Sequence, residues 1–204
     1  MKYYYHGSFV QHLSLLKPFG KPDNTVKKPV VYLTPNPYLS LFYIWNRPYK
    51  FVTFEEDEMG KIIYTEWFEN QLYEFYHRIK GSVYICNADN PSICLSHING
   101  VYISDTTLKV EKEHPIDNVY AHIWEQSEKG NIVIKKYDEL SDDKKRTIHT
   151  NIIRAVHMQH LLSDCNSEYA AFIKKRFPLE WQEAMQMDED EITAMINAWK
   201  TSLK

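Results

Sequence analysis

Apolar positions fall in short bursts over the first two thirds of the chain and at helical spacing over the last third. Residues 2 to 6 carry the aromatic run Tyr3-Tyr4-Tyr5, which predicts a strand that stops at a turn beginning at Gly7-Ser8. The polar, proline-flanked stretch 21 to 29 predicts an exposed loop, and Val30 to Thr34 a second strand. Pro35-Asn36-Pro37 closes that strand and opens a helix through Tyr38 to Trp45. Between Glu66 and Ile79, Phe68, Leu72, Phe75 and Ile79 recur at helical spacing, predicting a helix of about four turns closed by Gly81. Residues 82 to 86 and 101 to 103 read as strands joined through a loop at Asn87 to Pro91, and Leu108 to Glu113 as a further strand.

Asp117 stands where an N-cap is needed, ahead of the apolar face Val119, Tyr120, Ile123 and Trp124, with Gly130 as the stop. Ile132 to Ile134 predict one last strand. Beyond Ser141, a second candidate N-cap, strand signals end. Ile148, Ile152, Ala155 and Val156 share a helix face, and shorter helices follow around 167 to 176 and 190 to 202. The expected class is α+β, with an α+β domain over 1–140 and a helical C-terminal appendage over 141–204 packed on it.

Composition narrows this picture. A chain of 204 residues, 44% apolar and 25% charged, can bury a substantial core, which argues against disorder. A net charge of -3 gives no global field toward nucleic acid or anionic membrane, although local basic patches are compatible with it. No stretch approaches the ~18 apolar residues of a membrane span, and the start of the chain lacks a basic segment followed by an apolar one, so a cytoplasmic address with no membrane partner is expected. Cys86, Cys94 and Cys165 contain no C-x-x-C and predict neither a disulfide framework nor a zinc knuckle.

Candidate chemistry lies in two short motifs. His6-Gly7-Ser8 follows the first strand, and Tyr32 on the second precedes Ser40 by eight positions and Tyr43 by eleven. The order and intervals resemble the signature of ADP-ribosyltransferases of the poly- and mono-ADP-ribose polymerase type. The resemblance covers about the first 115 residues. It implies a split antiparallel sheet with flanking helices and NAD as substrate. A carboxamide offers one acceptor and one donor, which the backbone of Gly7 can meet if the ligand comes close. The resemblance further implies that His6 bonds the adenosine ribose, Ser40 completes the carboxamide contacts and Tyr43 stacks on the nicotinamide, with Ser8 beside them and Tyr32 forming the opposite wall. Runs such as Tyr5-His6-Gly7-Ser8 and Tyr64-Thr65-Glu66-Trp67-Phe68 also resemble a bacterial protein family without an established activity.

Cleavage of the glycosidic bond of NAD passes through an oxocarbenium-like state, so a carboxylate near the ribose is wanted. Glu113 is the first candidate and Glu111 the second, and a regular strand would put both on one face. Their surroundings, Val110-Glu111-Lys112-Glu113-His114-Pro115, equally suit a solvated strand end that stops at proline. Leu39 occupies the position that carries a lysine in the chain-elongating members, so the implied activity is mono-ADP-ribosyl transfer, to an unknown acceptor such as a protein. The alternative is an inactive binding or interaction module on the same fold. His149, His157 and His160 lack a carboxylate or cysteine at ligand spacing in the sequence, so no metal is expected. The basic triplets at 144–146 and 174–176 read as solvated helix faces rather than nucleic-acid contacts.

Overall fold

In the computed structural model the described residues are 3–19, 28–87, 93–95 and 100–202. In chain order they form β1 (Tyr3–Ser8), β2 (Leu15–Leu16), β3 (Val31–Leu33), α1 (Pro37–Leu41), β4 (Phe54–Glu56), β5 (Ile62–Thr65) and α2 (Gln71–Tyr76). There follow β6 (Gly81–Asn87), β7 (Ile93–Leu95), β8 (Tyr102–Ser104), β9 (Leu108–Lys109), β10 (Lys112–Ile116), α3 (Val119–Glu128) and β11 (Ile132–Lys135). The chain ends in α4 (Asp142–Met158), α5 (Glu168–Arg176), α6 (Pro178–Gln186) and α7 (Glu189–Ser202). The class is mixed α+β with several antiparallel sheets. Two units result, one from the described residues of 1–46, 53–66 and 70–135, the other from those of 47–52, 67–69 and 136–204.

The first unit is built on small sheets. One has the order β1-β6-β10, a second β3-β8-β7 and a third β11-β5-β4, with β2 and β9 paired separately. β11 runs parallel to β5; the other pairs are antiparallel. Tyr4, Leu16, Val31, Leu33, Tyr84, Cys86 and Leu108 form one buried cluster, so alternate residues of β1, β3 and β6 hold these strands together. A second core stacks Phe42 between Phe54 and Tyr64, at ring-centroid distances of 5.0 and 5.2 Å, and the Tyr76 hydroxyl donates to the carbonyl of Phe42 (3.0 Å).

Local chemistry moves several expected boundaries. The four-turn helix expected over Glu66 to Ile79 is only α2. Asn70 takes a left-handed conformation (φ 59°) with no side-chain cap of its own, and the buried Glu66 carboxylate accepts the Leu72 N–H (3.0 Å). Leu72 and Phe75 of the apolar stripe are buried on that helix, whereas Phe68 packs in the second unit against Phe172 and Phe177. The cap of α3 is Asn118, whose side chain accepts from the Ala121 N–H; Asp117 is exposed and pairs with Lys80. Gly130, at φ 78°, closes α3 as expected. The strand expected over Leu108 to Glu113 is interrupted at Val110 and Glu111, then resumes through Pro115 instead of stopping there. Proline is accommodated because β10 is an edge strand and the Pro115 nitrogen faces away from β6. The loop expected at Asn87 to Pro91 lies, beyond Asn87, outside the described residues, as does most of the one at 21–29.

In the second unit, Ser141 caps α4 by accepting the Lys144 N–H. Ile148, Ile152, Ile153 and Val156 are buried along α4, and Phe172 meets Phe51 and Phe177. Helix α6, begun by Pro178, has no counterpart in the periodicity reading. Asp188 and Glu191 cap each other reciprocally at the start of α7.

Candidate functional site

β1 and β3 meet at a single antiparallel bridge and then part. The Tyr5 N–H donates to the Thr34 carbonyl (2.7 Å) and the Thr34 N–H returns the bond (3.0 Å). Continued pairing would set Gly7 against Tyr32; past the bridge, His6 Nδ1 lies instead on the Tyr32 carbonyl, at 2.8 Å. In an antiparallel ladder the main-chain groups of alternate residues face the same edge. Tyr5 faces Thr34, so the N–H and C=O of Gly7 face the opening where the strands separate.

His6 is half-buried, and desolvation holds its pKa below the ordinary histidine value against the opposing bond to Tyr32. A neutral ring that donates from Nδ1 to a carbonyl leaves Nε2 as an acceptor, the role needed to receive a hydroxyl. Gly7 points to the opposite face of the sheet, toward α1. A β-carbon there would lie 1.9 Å from the Ser40 carbonyl oxygen and 3.2 Å from the Ile44 nitrogen. This close approach places the end of α1 beside the Gly7 backbone, and only glycine permits it.

Asn36 starts α1 by accepting the N–H groups of Tyr38 and Leu39. Ser40 is fully buried, and its hydroxyl donates to the Pro37 carbonyl (2.6 Å), which leaves the oxygen lone pairs as acceptors. The Tyr43 N–H donates to the Ser40 carbonyl (3.2 Å), and its ring meets Phe54 edge-on. Burial first, and the neighbouring Tyr32 second, push the Tyr43 hydroxyl up to about 12. His6, Gly7, Tyr32, Ser40 and Tyr43 thus all belong to one neighbourhood, at the divergence of β1 and β3. Ser8, last in β1, caps the following turn by accepting the Val10 N–H (3.1 Å).

Glu113 lies one strand further. His6, Tyr84 and Glu113 face one another across β1, β6 and β10 and form a row on one face of the sheet. Glu113 Oε1 accepts from the Ser82 hydroxyl (2.6 Å) and the His12 N–H (2.9 Å) and lies 3.2 Å from the Tyr84 hydroxyl; Oε2 lies 3.7 Å from His12 Nδ1. These contacts, the His12 N–H foremost, hold the carboxyl below the usual glutamate value, so it is an anion near neutral pH. The Tyr84 hydroxyl donates to the Val10 carbonyl (2.8 Å) and accepts the Leu13 N–H (3.2 Å), which fastens the segment after β1 over the row.

Comparison of the chain with protein-family models, with curated proteins and with solved structures finds no match.

Glu111 is exposed in the interruption before β10, and its N–H donates to the Ile85 carbonyl (2.8 Å). The two glutamates therefore occupy different environments and do not share a regular strand face. Glu111 bears instead on Cys86, whose thiol is pushed up to about 11, by burial first and by Glu111 second. Ser82, Tyr84 and His12, which hold Glu113, are not among the expected site residues; alternation along β6 puts Ser82 and Tyr84 on one face, but no sequence signal marks His12. Among the described residues no group of three or more His, Cys, Asp or Glu side chains is arranged to hold a metal. Among them, too, no helix is long and apolar enough to cross a membrane.

Proposed function

We propose that the first unit is an NAD-dependent mono-ADP-ribosyltransferase of the split-sheet type, transferring ADP-ribose to an unknown acceptor. The observation that carries this reading is the divergence of β1 and β3 at Gly7. It turns the N–H and C=O of that residue toward the edge where the strands part, with Ser40 against the adjoining sheet face and Tyr32 and Tyr43 close to each other. A carboxamide fits that main-chain edge with one donor and one acceptor, and Ser40 Oγ has lone pairs for the amide nitrogen. The free Nε2 of a neutral His6 suits a ribose hydroxyl, and Tyr43 supplies an aromatic face. Glu113, ionised and 20% exposed at its side chain, suits stabilisation of a ribosyl cation better than proton transfer, and takes that role ahead of Glu111.

The test is NAD binding and nicotinamide release by the purified chain and by His6→Ala, Tyr43→Ala and Glu113→Gln. Binding and cleavage by the parent, with binding lost in the first two variants and cleavage alone lost in the third, supports the reading. A parent chain that neither binds nor cleaves NAD removes it. One observation favours a second reading, a binding module without catalysis. Oε1 of Glu113 anchors the backbone of the segment after β1, a structural use that needs no substrate. Binding of NAD with no nicotinamide release by any form selects that reading.

A further inference from the structure

The second unit contains a cavity of about 280 Å³ lined by aromatic and cationic side chains. Arg154, on α4, lies with its guanidinium 4.6 Å from the ring centroid of Trp199 on α7. Trp67, Phe51 and Tyr169 form further walls, Phe51 meeting Trp67 edge-on at 5.5 Å. Lys50 and Asn151 also line the space, and among the described residues lining it none is acidic. Among the described residues Arg154 has no ion pair with a carboxylate. Burial draws its pKa below the ordinary arginine value.

A guanidinium stacked on indole presents its N–H edge outward, in the geometry that receives a carboxylate or phosphate by paired hydrogen bonds. The aromatic walls favour a flat ring beside that anion. The volume lies at the lower end for ligand pockets, which limits the occupant to roughly the size of a mononucleotide. We infer that this cavity is a binding site for a small planar anion, an aromatic ring joined to one carboxylate or phosphate, held by Arg154 and the Trp199 ring. Nucleoside monophosphates and aromatic carboxylates share that chemistry.

Isothermal titration of the full chain with AMP, 4-hydroxybenzoate, adenosine and inorganic phosphate tests the inference. The expected result is binding of AMP or 4-hydroxybenzoate, whichever is tighter naming the source of the anion, with adenosine and phosphate each weaker by roughly tenfold or more. Arg154→Met, which keeps the aliphatic stem, is expected to lower that affinity by roughly tenfold or more. Asn151→Asp, which adds a negative charge to the lining without removing packing, is expected to lower it too and serves if Arg154→Met does not fold. His6→Ala and Tyr43→Ala are expected to leave this binding intact, which separates it from any nucleotide site of the first unit. No binding of either ligand at millimolar concentration, affinity unchanged in Asn151→Asp, or phosphate binding as tightly as AMP would each overturn the inference.

Discussion

Gly7 and Ser40 are in such close contact that the place of a glycine β-carbon falls 1.9 Å from a main-chain oxygen. The obstacle is backbone at the end of a helix, which cannot swing aside as a side chain can. Gly7→Ala is therefore expected to cost about 3 kcal/mol, a drop of roughly 6 to 12 °C in Tm by thermal denaturation. Gly130 makes the contrast. It has φ 78° but nothing within 4 Å of its β-carbon site, so Gly130→Ala bears only the left-handed backbone cost of about 1 kcal/mol. Equal losses in the two variants would contradict the packing account.

The polar centre under α2 gives a second expectation. Gln71 Nε2 donates to Thr53 Oγ1 and to the Tyr64 hydroxyl, both at 2.8 Å, and all three residues are buried. Gln71→Leu leaves two buried hydroxyls short of a partner and is expected to cost about 2 to 3 kcal/mol. Tyr64→Phe removes one hydroxyl while Gln71 keeps Thr53, and is expected to cost about 1 kcal/mol. Chemical denaturation of both variants reads the order directly.

Glu113 links stability to acid. Its folded pKa lies below the ordinary value of 4.5, so its contribution is fully present above 4.5 and is lost as pH falls through the folded value. In Glu113→Gln the stability of the parent and the variant should converge as the medium is acidified below 4.5 and differ above it. Denaturation midpoints measured across that range check this, and a constant difference would assign the loss to something other than the charge.

His149 behaves oppositely. Its ring nitrogens meet Glu180 (3.0 Å) and Glu183 (2.8 Å) on α6. Burial works to lower its pKa, but the two carboxylates outweigh it and raise the pKa above the ordinary 6.5. The stabilisation is complete below 6.5 and is lost as pH rises through the folded value. His149→Gln should remove that pH dependence, and NMR titration of the imidazole should place its pKa above 6.5.

Strands built from aromatic and β-branched runs were legible in the sequence, because β1, β3, β6 and β11 need only local alternation to be found. The Ser141 cap and the Gly130 stop were legible for the same reason, each acting within one turn. What misled was chemistry between distant residues. The apolar stripe from Phe68 to Ile79 has helical period, yet Phe68 is drawn to Phe172 and Phe177, about a hundred positions later, and α2 cannot extend back to it. Asp117 and Asn118 are both good caps, and only the structure shows Asn118 turned back on Ala121. Pro115 reads as a strand end until β10 is known to be an edge. At the candidate site, spacing picked out residues that lie together where β1 and β3 diverge, but the donors to Glu113 come from Ser82 and His12, 31 and 101 positions away, and no local pattern ties them to it.

The parallel pairing of β11 with β5 also bears on synthesis. Ile62 finds its partner in Ile132, and Thr65 in Lys135, so β5 leaves the ribosome with one edge unmatched until nearly all of the first unit has been made. During that interval its apolar residues are open to the nascent chain and to anything else nearby. An elongation pause placed before residue 132 should therefore prolong protease sensitivity around β5, whereas one placed after β11 has left the ribosome should not.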